Sequence, residues 1–358
     1  MQQGIHLPPP LTGKTGWPWD FRPEKVSLDF DLPRVTIVTP SYNHAAYLEE
    51  AIRSVLLQGY PNLEYFVIDG GSTDGSLEII RKYEPWLAGW TSEGDAGQSS
   101  AINKGFARAT GEWMGWLNSD DCLAPYGIHN LISTAHAARA DFVYGACVQF
   151  GVPHPYPYIK RPGPLAFDLE MVRLVDLLDQ PATLWKRRVF EACGPLAEDL
   201  HFGFDWDFFI KCAGSFKGAY STAIIAIYRF HSDNKTLRGD LERSEELIRI
   251  SLAHLPEDVN QRFVRILPLI RVLLRLDGIR RRRHWLTMRI AKLVLIPFRN
   301  CRFLRLFGLP LELWSAHGFA DCAERESMTL QHADKPASSV AEALDRFRDE
   351  LVFPALSD

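Results

Sequence analysis

Cysteine is scarce in this 358-residue chain, with six residues at 122, 147, 193, 212, 301 and 322. No Cys-x-x-Cys occurs and no Cys/His group stands at structural-zinc spacing, which excludes cysteine ligation of a metal. Scattered single thiols fit a reducing compartment better than a disulfide framework, so a cytoplasmic setting is expected. Long apolar runs are missing too. Leu293 to Phe298, the most apolar stretch of the C-terminal half, is flanked by Lys292 and Arg299 and falls far short of the ~18 residues of a spanning helix. The chain starts at Met1 and reaches Pro8, Pro9 and Pro10 without a charged start and an apolar run, so no secretory signal is expected. No Gly-x-Gly-x-x-Gly follows the first strand signal, which sets aside a dinucleotide-binding dehydrogenase, and no solenoid-type repeat recurs. Neither sign of charge dominates, and a net charge of -4 argues against a surface given over to nucleic acid. What remains is an ordinary globular composition, 46% hydrophobic and 23% charged, long enough for about two to three structural units.

Residues 1–33 carry Trp17, Trp19 and Phe21 between turn-forming residues and read as an irregular arm that packs on something. From Arg34 the text changes. The β-branched run Val35 to Thr39 ends at Pro40, and Leu48, Ile52, Val55 and Leu56 follow at helical spacing. Tyr65 to Ile68 forms a second strand ending at Asp69, then the turn-rich Gly70 to Gly75 leads into a short helix through Ile79 and Ile80. A helix with Ala101, Ile102 and Phe106 and a strand from Trp113 to Leu117 complete the pattern, ending in Asn118, Ser119, Asp120 and Asp121. Strands alternating with helices predict an α/β, doubly wound, mostly parallel sheet, whose ligand crevice lies at the carboxyl ends of the strands. The polar residues gather at those ends. The second half of the same domain is less regular, with a strand at 142–148, a helix from Asp205 and a strand at 223–228. After Thr236 the pattern is helical and arginine-rich, and the last forty or so residues are polar without a fold signal.

Four segments in order carry a resemblance: Thr39-Pro40-Ser41-Tyr42-Asn43, Ile68-Asp69-Gly70-Gly71-Ser72-Thr73-Asp74-Gly75, Gly97-Gln98-Ser99-Ser100-Ala101-Ile102-Asn103-Lys104-Gly105 and Leu117-Asn118-Ser119-Asp120-Asp121. Together they resemble the inverting glycosyltransferases of family 2, which have the GT-A fold and use nucleotide-diphosphate sugars. The resemblance spans roughly 34–235, divided into a nucleotide-sugar half (34–125) and an acceptor half (126–235), and leaves 236–358 as a C-terminal extension. It implies Mn2+ or Mg2+, hard ions suited to carboxylate ligands beside a diphosphate, with Asp121 as the direct ligand and Asp120 nearer the ribose or behind the metal. Asn118 stands where many relatives have Asp. By the same resemblance Asp69 contacts the nucleoside, whereas taken without the other motifs it caps its own Gly-Gly turn. Pro40, Tyr42 and Asn43 shape the base pocket, Gln98, Asn103 and Lys104 line the donor site or simply open their helix, and Arg229 and His231 meet the diphosphate or metal unless His231 is only a solvated loop residue. UDP- or dTDP-type donors are favoured, because a carboxylate accepts from a uracil or thymine imide.

Phe204-Asp205-Trp206-Asp207 resembles the family segment that carries the general base, and Asp205 takes the base position, with Phe204 where many relatives have Glu. Asp205 also suits a helix N-terminus, where capping and the helix dipole favour an acid. Gln180-Pro181-Ala182-Thr183 resembles the acceptor-side strand. A processive synthase is disfavoured by the missing spanning helices and Gln-x-x-Arg-Trp segment, so transfer of a single sugar to a saccharide or lipid-linked acceptor is expected, in bacterial surface-polysaccharide or glycolipid assembly. The competing reading is a non-catalytic nucleotide-sugar-binding or scaffold protein on the same fold. Between Gln261 and Arg305 there are thirteen Lys or Arg and one acid, Asp277, about +12 in a chain whose total is -4. Arg262, Arg265, Arg271 and Arg275 interleave with Phe263, Ile266, Leu267 and Leu274, as on a helix that docks on an anionic membrane surface or packs on the acidic domain or a second subunit.

Overall fold

The computed structural model describes residues 6–235 apart from 22, 23, 25, 27, 153 and 175, then 241–271 apart from 258, 259, 262, 266, 269 and 270, and finally 329–351. Strand β1 (Val35–Ser41), helix α1 (Ala45–Leu56), β2 (Leu63–Asp69), α2 (Ser76–Tyr83), β3 (Gly89–Ser92), α3 (Gln98–Arg108) and β4 (Trp113–Trp116) alternate as expected. Their strands pair in parallel in the order β3-β2-β1-β4. Every residue of β1 is buried, because helices cover both faces, and this is why it reads as a continuous apolar and β-branched run. Leu48, Ala51, Ile52 and Val55 of α1 pack with Val35 and Ile37 on one face, while Ala101, Ile102 and Phe106 of α3 pack with Val38 and Ile68 on the other. Helix α3 lies very close to the sheet at Gly105, where an added Cβ would fall 2.4 Å from Val38 Cγ1.

The second half holds β5 (Cys122–Leu123), α4 (Gly127–Ala138), β6 (Phe142–Gly151), β7 (Tyr158–Arg161), α5 (Leu169–Leu174), β8 (Thr183–Lys186), α6 (Arg187–Cys193), α7 (Phe204–Ala213) and β9 (Gly218–Phe230). Here the sheet turns mixed. Strand β8 lies antiparallel between β4 and β6, β7 is antiparallel to β6, and β9 runs parallel to β6 and antiparallel to β5. The β6 to β7 connection is too short for a crossover, so it returns antiparallel. Among the described residues the result is a mixed sheet of ten strands, counting an edge strand from the C-terminal extension.

In the extension, α8 (Leu241–His254) buries Leu247, Ile248 and Ile250 in the cluster that holds α7. Strand β10 (Thr329–His332) adds an antiparallel edge to β7. Helix α9 (Val340–Asp345) buries Val340, Ala343 and Leu344 beside Trp17 of the N-terminal arm. The polar C-terminal text thus contains two ordered elements without a strong periodic signal, since a four-residue edge strand and a six-residue helix are too short to show one. Trp17 and Trp19 are buried, and the arm is fastened by Trp17 Nε1 donating to Leu123 O at 2.8 Å and Trp19 Nε1 to Glu50 at 3.2 Å. Most of the basic segment 261–305 lies outside the described residues, and among the described residues no helix is long and apolar enough to cross a membrane.

Candidate active site

A cavity of about 870 Å³ opens at the carboxyl ends of β1 and β4, on either side of the point where the strand order reverses. Loops following β1, β2, β3, β4 and β9 and the start of α7 contribute to its walls. Pro40, Tyr42 and His44 come from the β1 to α1 loop, Asp95 and Gln98 from the approach to α3, Asn118 and Asp120 from the end of β4, Asp205 from α7, and Lys235 from the segment after β9. Helix α8 closes one side with Arg243 and Leu247.

The two adjacent aspartates part company. Asp120 faces the cavity, and its Oδ2 meets His231 Nε2 at 2.9 Å and Asn234 Nδ2 at 3.2 Å. Burial opposes its ionisation, but the His231 hydrogen bond and the charges of His44 and His231 outweigh burial and hold its pKa below the usual value. Asp121 is 1% exposed and lies behind the wall, accepting from Arg229 N at 3.1 Å. Burial, and then the charge of Asp120, push its pKa well up. The split follows from where each sits: Ser119 and Asp120 form a turn closed by Asp121 N donating to Asn118 O at 3.1 Å, whereas Asp121 leads into β5, which pairs with β9, and is held by Arg229 N of that strand. The carboxylate offered to a ligand is therefore Asp120, where the sequence pointed to Asp121. His231 stands as its partner and not in the wall itself. Its neighbour Arg229 does not reach the cavity either, since its guanidinium is engaged by Glu50 Oε2 at 2.5 Å and lies over the Tyr47 ring at 4.7 Å.

Asp205 is the second residue of α7 and lines the cavity, its Oδ1 accepting from Trp206 N at 2.9 Å. Two residues on, Asp207 turns away to His254 Nε2 and Lys211 Nζ, each at 2.6 Å. Four other sequence candidates hold the scaffold together. Asp69 is 0% exposed and accepts from Gly71 N, Ser72 N, Ser72 Oγ and Ser92 Oγ at 2.5–3.1 Å. Its carboxylate is consumed by the turn, in which Gly71 takes the left-handed φ of 82° that suits glycine. Asn43 accepts from Thr73 N at 2.8 Å and joins the β1 and β2 loops. Asn103 bonds Leu196 N and O at 3.0 and 2.9 Å, and Lys104 pairs with Glu93 at 2.9 Å on the surface. Neither lines the cavity.

Sequence reading passed over Asp95, Lys235 and the α8 wall. Asp95, between Gly94 and Gly97, lines the cavity beside Gly70, its Oδ2 3.0 Å from where a Cβ on Gly70 would be. Lys235 has its pKa lowered by burial, against the opposing charges of Asp205, Glu246, Asp120 and Asp95. It is a cation among four acids. On the far wall Trp116 Nε1, Gln180 Oε1 and Asp179 Oδ2 are buried without a protein hydrogen-bond partner, and buried polar atoms of this kind are costly unless a ligand meets them.

The Glycosyl transferase family 2 profile matches residues 36–172. The chain is 30% identical over 187 residues to a PGL/p-HBAD biosynthesis glycosyltransferase of Mycobacterium tuberculosis, covering 50% of this chain and 70% of that protein. It is 34% identical over 102 residues to an uncharacterized glycosyltransferase of Nostoc, of which it spans about a third, 28% of this chain and 32% of the other. In fold it is similar to a mannosyltransferase of Pyrobaculum calidifontis solved with GDP-Man and Mn2+, at a TM-score of 0.52 and 18% identity over 84% of this chain and 90% of that one. The mixed sheet is therefore a GT-A fold, and with its ordered motifs at the strand ends the chain belongs to glycosyl transferase family 2.

Proposed function

We propose that this glycosyltransferase moves a single sugar, with inversion, from a nucleotide-diphosphate donor to a hydroxyl of a saccharide or lipid-linked acceptor. The carrying observation is that Asp120 and Asp205, far apart in sequence and on different elements, line one cavity. Pro40 and Tyr42 wall the nucleoside end. Asp95 replaces Asp69 as the carboxylate available to a base N–H, which favours a UDP- or dTDP-type donor. Trp116, Gln180 and Asp179 offer their unmatched polar atoms to sugar hydroxyls. Surface-polysaccharide or glycolipid assembly is the setting we favour, in line with the mycobacterial relative's PGL/p-HBAD biosynthesis.

Among the described residues no group of three or more His, Cys, Asp or Glu is placed to hold a metal ion by itself. The donor set nevertheless fits Mn2+ or Mg2+, because such ions need only one or two protein carboxylates when substrate phosphates complete the shell. Asp120, steadied by His231, would hold it. The ion would supply Lewis acidity to the departing diphosphate. Lys235 adds positive charge from the protein side. Asp205 accepts the proton of the acceptor hydroxyl as that oxygen attacks the anomeric carbon from the face opposite the leaving group, a role worth ~10²- to 10⁴-fold in rate.

The test begins with a thermal-shift screen of UDP-, dTDP- and GDP-sugars with Mn2+, in which a ligand at about 100 times its Kd adds ~2.7 kcal/mol of stability. With the donor found, Asp120→Asn is expected to abolish the Mn2+-dependent part of donor binding, and Asp121→Asn to leave most of it. Asp205→Asn should bind donor normally and transfer at least ~10²-fold more slowly. Native turnover in Asp205→Asn, or full chelator-resistant activity, would overturn the mechanism.

A further inference from the structure

Glu246 of α8 is buried, and its carboxylate accepts three consecutive backbone N–H groups. His201 N donates to Oε2 at 2.7 Å, and Phe202 N and Gly203 N donate to Oε1 at 2.6 and 2.7 Å. Gly203 is the N-cap of α7, and Asp205 is two residues further on. Phe202, Gly203 and Asp205 all line the cavity. Hydrogen bonds to an ionised acceptor are short and strong, so this loop is gripped by one side chain from a distant element. There is little slack behind it. A Cβ on Gly203 would stand 2.7 Å from Ile250 Cδ1 and 3.1 Å from Leu247 Cδ2 of the same helix. On the other side of Asp205, Asp207 is bound to His254, also of α8, at 2.6 Å. Helix α8 thus holds the first turn of α7 before and after Asp205.

Phe204, just ahead of Asp205, offers no carboxylate of its own. We propose that Glu246 is a positioning residue for Asp205, fixing the 201–203 loop so that the Asp205 carboxylate meets the acceptor hydroxyl; this rests on the reading of Asp205 as the base. Helix α8, in the C-terminal extension, then serves to position the catalytic site.

Glu246→Gln and Glu246→Ala in the full chain test it with two readouts. Hydrogen–deuterium exchange of the amides at 201–203 is expected to speed up at least ~10-fold in both variants while 207–213 stays protected. In turnover, Glu246→Gln should lower kcat at least ~10-fold with donor KM within about twofold, and in an Asp205→Asn background the same change should alter kcat less than about twofold, because the two act as a unit. Unchanged exchange, or an equal loss in both backgrounds, overturns the proposal and leaves Glu246 a stabiliser of the fold. Native turnover in Asp205→Asn alone removes the base reading, whereas native turnover in Glu246→Gln beside a slow Asp205→Asn removes the positioning role alone.

Discussion

His129 on α4 is fully buried between Tyr60 and Tyr126, ring centroids 5.0 and 6.1 Å away, and neither of its nitrogens has a hydrogen-bond partner. Burial lowers its pKa from 6.5 to about 4, since nothing nearby compensates a positive charge. The unfolded chain therefore binds the proton first. Stability is fully present above pH 6.5, falls as pH drops through the window from 6.5 to about 4, and levels off below it, a loss on the order of 3 kcal/mol from this residue. Urea unfolding at several pH values is expected to show this decline in the native chain and to lose that component in His129→Leu. Parallel curves for the two proteins would sink the assignment. The same local physics, burial against neighbouring charge, is what separates Asp120 from Asp121.

At the scale of elements, α1 organises the N-terminal arm as well as the sheet. Arg53, 3% exposed, donates to Pro18 O at 3.0 Å, Pro8 O at 2.8 Å, Trp19 O at 2.7 Å and Tyr83 Oη at 2.9 Å, and its guanidinium stacks over Trp19 at 5.1 Å. One side chain turns a proline-rich strand of text into a packed layer. Arg53→Met keeps the stem but strips the donors from buried carbonyls, at a cost on the order of 3 kcal/mol. The expected result is a lower melting temperature with early proteolytic cleavage within residues 8–19. Native resistance to a protease would show that the arm is held by its tryptophans instead.

For the whole molecule, charge is unevenly spread, with about +12 between 261 and 305 and the remainder near -16. We propose that this segment docks the enzyme on an anionic membrane surface, where a well-placed cation contributes about 1 kcal/mol. Co-sedimentation with anionic but not neutral vesicles is expected, weakened by salt. Because α8 and β10 are built into the fold, the informative variant replaces Arg280, Arg281, Arg282 and Arg283 with Gln and leaves the chain length intact. Equal binding by that variant and the native chain, or none by either at low salt, would return the segment to packing within the protein or between subunits.

The sequence by itself determined the parallel half of the sheet and the place of Asp120 at a strand end, because buried strands write continuous apolar runs and the polar residues at their ends are local in the text; Asp205 was legible through a local motif at a helix start. It also placed Asp69 at its strand end, with capping of the Gly-Gly turn as one of two readings, and three of its four hydrogen bonds lie in that turn while the fourth comes from Ser92 Oγ of β3. Only the tertiary structure decided what each side chain faces. Whether Asp120 or Asp121 meets the cavity depends on how β5 pairs with β9, an interaction across more than a hundred residues. Asp95 lies against Gly70 of the β2 loop, 3.0 Å from where a Cβ there would stand, and this proximity of two loops is set by the fold. Glu246 reads as one more acid on an amphipathic helix until α8 folds against the loop before α7, and long-range contacts of that kind leave no period in the chain to be read.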